Sequence, residues 1–180
     1  MNRSCYRVRI ISFVALFLLV SMLTGCDDPA ELSPTPEQQS GPGFTLYGKT
    51  LDNENFDWES LRGKYVLVKF TATWCSPCQR AIPGMRETYE KYHDKGFEIV
   101  SVYIGEGETD PVSTVRRFVE RERLPWIIIS EALTEQAGQP PQGQAFGIRG
   151  VPTMVLVDKE GEIITIDADY KAELRKIFGE

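Results

Sequence analysis

The sequence predicts an α/β fold: one mixed β-sheet flanked by helices, with an N-terminal β-hairpin and an inserted helix–strand pair. Three observations carry this. Short β-rich apolar runs, "YVLVKF" (65–70) and "FEIVSVYIG" (97–105), bracket a long segment of helical periodicity. Strand, helix and strand within about 40 residues make a βαβ unit, whose strands run parallel through a right-handed crossover. Near the end, "TMVLVDKEGEIITI" (153–166) reads as two strands about a turn at Lys159-Glu160-Gly161, an antiparallel hairpin.

The elements follow in order. Residues 44–64 read as a short hairpin, with Asp52-Asn53-Glu54-Asn55 supplying turn chemistry. The first long helix runs from about Pro77 to Lys95 and stops at Gly96. Its packing face is Ile82, Met85, Tyr89 and Tyr92, and Pro83 inside it predicts a kink. A second helix starts with Asp110 as cap and Pro111 at the first turn, with Val112, Val115, Phe118 and Val119 as its apolar stripe. "PWIIIS" (125–130) is a further strand. Residues 131–146, rich in Gln, Gly and Pro, predict a loop with at most a short helix near Gln144-Ala145-Phe146. "DYKAELRKIF" (169–178) closes the domain as an amphipathic helix. The order is β-α-β-α-β-β-β-α after the hairpin, a central sheet with helices on both faces.

The N-terminus reads as a targeting segment. Arg3, Arg7 and Arg9 precede the uncharged apolar run Ile10 to Leu23, the layout of a secretory signal. That run is shorter than the roughly 20 residues that span a bilayer comfortably. "LTGC", Leu23 to Cys26, resembles the bacterial lipobox, which implies lipid attachment at Cys26 and a mature chain starting there. The Asp27 that follows resembles an inner-membrane retention signal. Residues 1–25 are therefore the expected lipoprotein signal peptide. Residues 26–43, with four prolines in "DDPAELSPTPEQQSGPG", form a flexible tether. Residues 44–180, roughly 137 in all, suit one globular domain. Loss of the signal removes three arginines and no acid, taking the formal charge from −6 to −9. So acidic a surface argues against binding nucleic acid or anionic lipid by charge.

Of the four cysteines, Cys5 goes with the signal and Cys26 is lipidated. Cys75 and Cys78 remain, in an oxidising compartment. The pair has three readings: a redox dithiol, an inert disulfide or part of a metal site. A structural zinc site takes four ligands, and the sole histidine, His93, lies about four turns along the same helix. Haem attachment would need histidine where Gln79 stands. A disulfide closing so small a loop gains little in the chain-entropy model. The redox reading suits the position. A helix N-terminus offers free N–H groups and partial positive charge to a thiolate. Cys75, at that end and partly exposed, would attack; Cys78, about one turn inside, would resolve. Pro77 stiffens the loop and Trp74 covers one side.

"VLVKFTATWCSPC", the βαβ order and the late "GVPT" (150–153) resemble the thioredoxin superfamily, and more closely its TlpA/ResA/CcmG-like branch of membrane-anchored thiol–disulfide reductases. The resemblance covers about residues 44–178 and includes the inserted αβ pair at about 111–130. It implies a thioredoxin-like fold, a cis Pro152 beside the disulfide, and a Val151 backbone that pairs with an incoming substrate strand. It also implies protein disulfides as substrates, a membrane-embedded electron donor, an extracytoplasmic position on a lipid anchor, a monomer, and no cofactor or metal.

Two positions depart from the family pattern. Classical thioredoxins carry a buried acid where this chain has Lys69, and ResA-like members carry Glu where it has Ala81. Lys69 either turns its amine toward the site as a modulator or snorkels outward. The second reading is favoured, because a buried unpaired lysine is costly. Two other functions remain open at this level: a redox-idle binding module, and a thiol peroxidase, for which the expected proline ahead of Thr71 and Thr73 is missing.

Overall fold

The computed structural model describes residues 43–107 and 109–180. The expected signal peptide, Cys26 and most of the tether lie outside the described residues. Among those described, no helix is long and apolar enough to cross a membrane.

The core is a six-stranded sheet in the order β1-β4-β3-β2-β5-β6. The strands are β1 (Lys49–Thr50), β2 (Tyr65–Thr71), β3 (Phe97–Tyr103), β4 (Ile127–Ser130), β5 (Thr153–Val157) and β6 (Ile163–Ile166). β2, β3 and β4 run parallel, as the βαβ reading requires. β5 lies antiparallel on β2, β6 on β5 and β1 on β4. β2 and β3 are the central strands and are buried on both faces, which explains their near-continuous apolar runs.

Helix α1 spans Ser76–Tyr92, and a 3₁₀ turn, His93–Lys95, carries it to Gly96. Gly96 takes φ 90°, a left-handed conformation that glycine adopts without penalty. α1 continues uninterrupted through the exposed Pro83. Helix α2 (Pro111–Glu122) is capped by the Asp110 carboxylate, which accepts the Ser113 N–H. The closing helix α5 spans Tyr170–Phe178.

The helices divide unequally between the faces. Leu67, Ile99, Ile128 and Leu156 face one way and pack with Ile82 and Met85 of α1, Val115 and Phe118 of α2, and Leu174 of α5. Val66, Val68, Val100, Ile129 and Val155 face the other way. There the cover is the N-terminal segment, with Phe44, Leu46, Trp58 and Leu61, plus Phe146 and Ile148. The three long helices thus share one face.

Two local expectations are sharpened. The N-terminal hairpin is short: the Thr50 N–H donates to Glu54 C=O and the Phe56 N–H to Gly48 C=O about the Lys49–Asn55 bridge, and β1 also pairs with β4. The 131–146 loop contains two short helices, α3 (Glu131–Gln136) and α4 (Gln142–Ala145). α3 is pinned by Thr134, whose hydroxyl donates to Ser130 C=O and accepts the Lys49 N–H. α4 is held through the Gly143 N–H, which donates to Glu131. Both ties are tertiary and leave no trace in periodicity.

Candidate active site

β2 ends at Thr71, and four residues later Cys75 occupies the N-cap of α1. An N-cap side chain normally satisfies one of the free N–H groups of the first turn. Here the acceptor is sulfur: Cys75 Sγ accepts the Cys78 N–H at 3.2 Å. The two sulfurs are joined as a disulfide. Pro77 sits in the first turn, where its missing N–H costs nothing, and is exposed.

Exposure does not separate the cysteines as expected. Cys75 is 2% exposed and Cys78 1%. Both are covered by Ala72 and by Val151 from the facing loop. What distinguishes them is the N–H bond to Cys75 Sγ, which favours negative charge on that sulfur.

The facing loop is placed by strand register. Thr153, first residue of β5, pairs with Phe70 of β2. The preceding Val151–Pro152 segment therefore lies beside the chain that leads into Cys75. The Val151–Pro152 peptide bond is cis.

Lys69 does not snorkel outward. It lies in the middle of the sheet, opposite Ser101 of β3 and Met154 of β5, and is 3% exposed. On a strand buried on both faces no path to solvent is open to a side chain of this length. The amine instead donates to the Cys78 C=O at 2.8 Å. Burial lowers its pKa from the usual lysine range to about 8. Ala81, the other departure, packs against the helix-side core.

The structure adds residues that sequence reasoning missed. Glu106, in the loop after β3, accepts both the N–H and the hydroxyl of Thr73, each at 2.5 Å. Gln79 Nε2 donates to Thr73 C=O at 2.7 Å. Trp74 Nε1 donates to Gly105 C=O at 2.9 Å. These bonds fasten the segment before Cys75 to the next strand's loop. The only trace in sequence is an acid between glycines after a strand. Trp74 is 63% exposed, so its ring stands as a wall beside the disulfide rather than a cover. Behind it opens a groove of ≈ 280 Å³ lined by Thr73, Trp74, Gln79, Phe118, Arg117 and Arg121.

A disulfide at a helix N-cap, faced by a cis X-Pro loop on the neighbouring strand of a mixed sheet, defines a thioredoxin-like protein. The sheet order and the similar solved structures agree with that class. The chain belongs to the Redoxin family, whose model matches residues 36–176. It is 36% identical over 117 residues to the thiol-disulfide oxidoreductase ResA of Halalkalibacterium halodurans, covering 64% of this chain and 60% of that one. It is 37% identical over 124 residues to the ResA of Geobacillus kaustophilus, covering 69% and 64%. The chain thus aligns with less than two thirds of the length of these relatives. Among solved structures it resembles the thioredoxin domain of a thiol-disulfide oxidoreductase from Bacteroides vulgatus, with TM-score 0.60, 25% identity, and 74% and 91% of the two chains covered. These similarities agree with the ResA-like branch of the superfamily.

Proposed function

We propose that this chain is a thiol–disulfide oxidoreductase that reduces disulfides in proteins of the cell envelope. The observation that carries the reading is the Cys75–Cys78 pair at the start of α1, with Cys75 Sγ accepting the Cys78 N–H. Similarity to enzymes named thiol-disulfide oxidoreductase supports it.

In the reduced protein the Cys75 thiolate attacks one sulfur of a substrate disulfide. A Cys75–substrate disulfide forms and the first substrate thiolate leaves. Cys78, as thiolate, then attacks Cys75 Sγ. The Cys75–Cys78 bond forms and the second substrate thiolate leaves. Two electrons have passed to the substrate, and a dithiol donor must return them. We assign that donor to the membrane and the anchor to lipid on Cys26, on the strength of the "LTGC" motif and the preceding apolar run. The enzyme works as a monomer on the extracytoplasmic side of the inner membrane. Val151 and Pro152 hold the substrate strand beside the disulfide, and Trp74 and Pro77 shape its edge. Apocytochrome c CxxC segments and misoxidised envelope proteins are the client classes.

The test is reduction of insulin disulfides with dithiothreitol as donor. The wild-type protein is expected to accelerate precipitation of the insulin chains, and Cys75→Ser to reduce the rate to the uncatalysed level. Equal rates for the two would remove the enzymatic reading and favour a redox-idle binding module.

A further inference from the structure

A lone exposed hydrophobic side chain needs no explanation. Trp74 is not such a case. It borders Cys75, its ring is held in place by the bond from Nε1 to Gly105 C=O, and it shares a groove with two arginines. The far wall of that groove is the outer face of α2, where Thr114, Arg117, Phe118 and Arg121 recur at the spacing of one helix face. The whole chain carries a formal charge of −6, yet among the described residues the charged side chains lining this groove are both arginines. Three carboxylates come near, and each is engaged. Asp110 caps α2 through the N–H and hydroxyl of Ser113. Glu106 holds Thr73 and lines a separate cavity with Gly107 and Glu131. Glu122 accepts from Arg121 Nε at 3.0 Å, and the Arg121 guanidinium lies 4.9 Å from the centre of the Phe118 ring. Arg117 reaches the hydroxyls of Ser113 and Thr114, each at 3.3 Å, and among the described residues no carboxylate forms an ion pair with it.

We propose that this groove receives an acidic segment of the substrate protein next to the cysteine under attack, with its carboxylates on Arg117 and Arg121 and an apolar side chain against the Trp74 ring. The proposal rests on the oxidoreductase reading and deepens it by naming the substrate class. A guanidinium is a planar fork of donors that matches a carboxylate with two bonds at once. Tryptophan and arginine are also the side chains that most often anchor a protein interface. α2 is capped by Asp110 and packed into the core through Val115 and Phe118, so both arginines leave from a rigid base. Four residues of helix rise about 6 Å. Alternate residues of an extended segment lie about 6.6 Å apart, so they span the same distance. Charge complementarity of this kind selects among partners more than it tightens binding. Two arginines that were merely solvated on a helix would show no preference for the charge of a substrate.

The experiment measures kcat/KM for the reduction of peptide disulfides by the protein, with dithiothreitol as donor. The peptides share one disulfide and one length, and carry Glu-Ser-Glu, Gln-Ser-Gln or Lys-Ser-Lys beside both cysteines. At low salt the wild type is expected to favour the Glu peptide over the Lys peptide about tenfold, with the Gln peptide between them. The preference should shrink toward unity at about 1 M salt, where the screening length falls to about 3 Å. Arg117→Glu combined with Arg121→Glu is expected to reverse the preference. The ratio of two peptides on one variant cancels any general loss of activity from altered folding. Equal values for the three peptides in the wild type, or a preference that survives the charge reversal, overturn the proposal. Glutathione disulfide, a small acidic disulfide, stands for the other occupant of the groove. Its reduction in preference to the Glu peptide, with the same dependence on the two arginines, overturns the assignment to a protein segment. Turnover of none of these disulfides by the wild type would instead remove the oxidoreductase reading on which the proposal rests.

Discussion

The burial of Lys69 has a thermodynamic consequence. Its pKa is lowered on folding, from 10.5 to about 8. Between those values the unfolded chain binds more protons than the native one, so stability rises with pH across the window. Below about pH 8 the full cost of burying the ammonium is present; above pH 10.5 it is gone. The shift corresponds to about 3 kcal/mol. Lys69→Met should therefore stabilise the protein at pH 7 by roughly 1–3 kcal/mol and flatten the rise of stability between pH 8 and pH 10.5, as read by urea unfolding at stepped pH. Glu106 belongs to the same scale. Removing its two charge-assisted bonds to Thr73 in Glu106→Ala should cost about 2 kcal/mol and loosen the approach to Cys75, visible in denaturant midpoints and in faster amide exchange at Thr73.

Among the elements, the strands and long helices were legible because their cause is local. β2 and β3 are unbroken β-rich runs, α2 opens with a capping Asp and a Pro, and the 3₁₀ turn that follows α1 stops at a glycine with positive φ. α3 and α4 were not legible, since Thr134 and Glu131 hold them through bonds to distant backbone. Thr134→Val should remove the acceptor for the Lys49 N–H and the donor to Ser130, costing about 1–3 kcal/mol in equilibrium unfolding. The loss should appear first as hydrogen exchange in β1 and α3, at the sheet edge, while α1 stays protected.

At the scale of the whole molecule, two apolar faces on one sheet fix the site. The βαβ crossover places α1 so that its N-terminus meets the end of β2, and the antiparallel register of β5 brings Val151 across to the cysteines. Leu156, fully buried in β5 beneath α1 and α5, ties these parts together. Leu156→Ala should cost about 2–5 kcal/mol and lower the thermal midpoint by several degrees. The redox reading of the pair came from "WCSPC" at a strand end and helix start, and the facing "GVPT" loop from the resemblance to the thioredoxin superfamily. The burial of both cysteines and the inward turn of Lys69 were not, because each depends on packing by residues far away in the chain. The central claim is that Cys75 attacks and Cys78 resolves, and trapping tests it most directly. Reduced Cys78→Ser mixed with a disulfide-containing peptide should accumulate a covalent adduct, located at Cys75 by peptide mass mapping and released by dithiothreitol, while Cys75→Ser accumulates none. Equal adducts on both variants, or none on Cys78→Ser, would contradict the account.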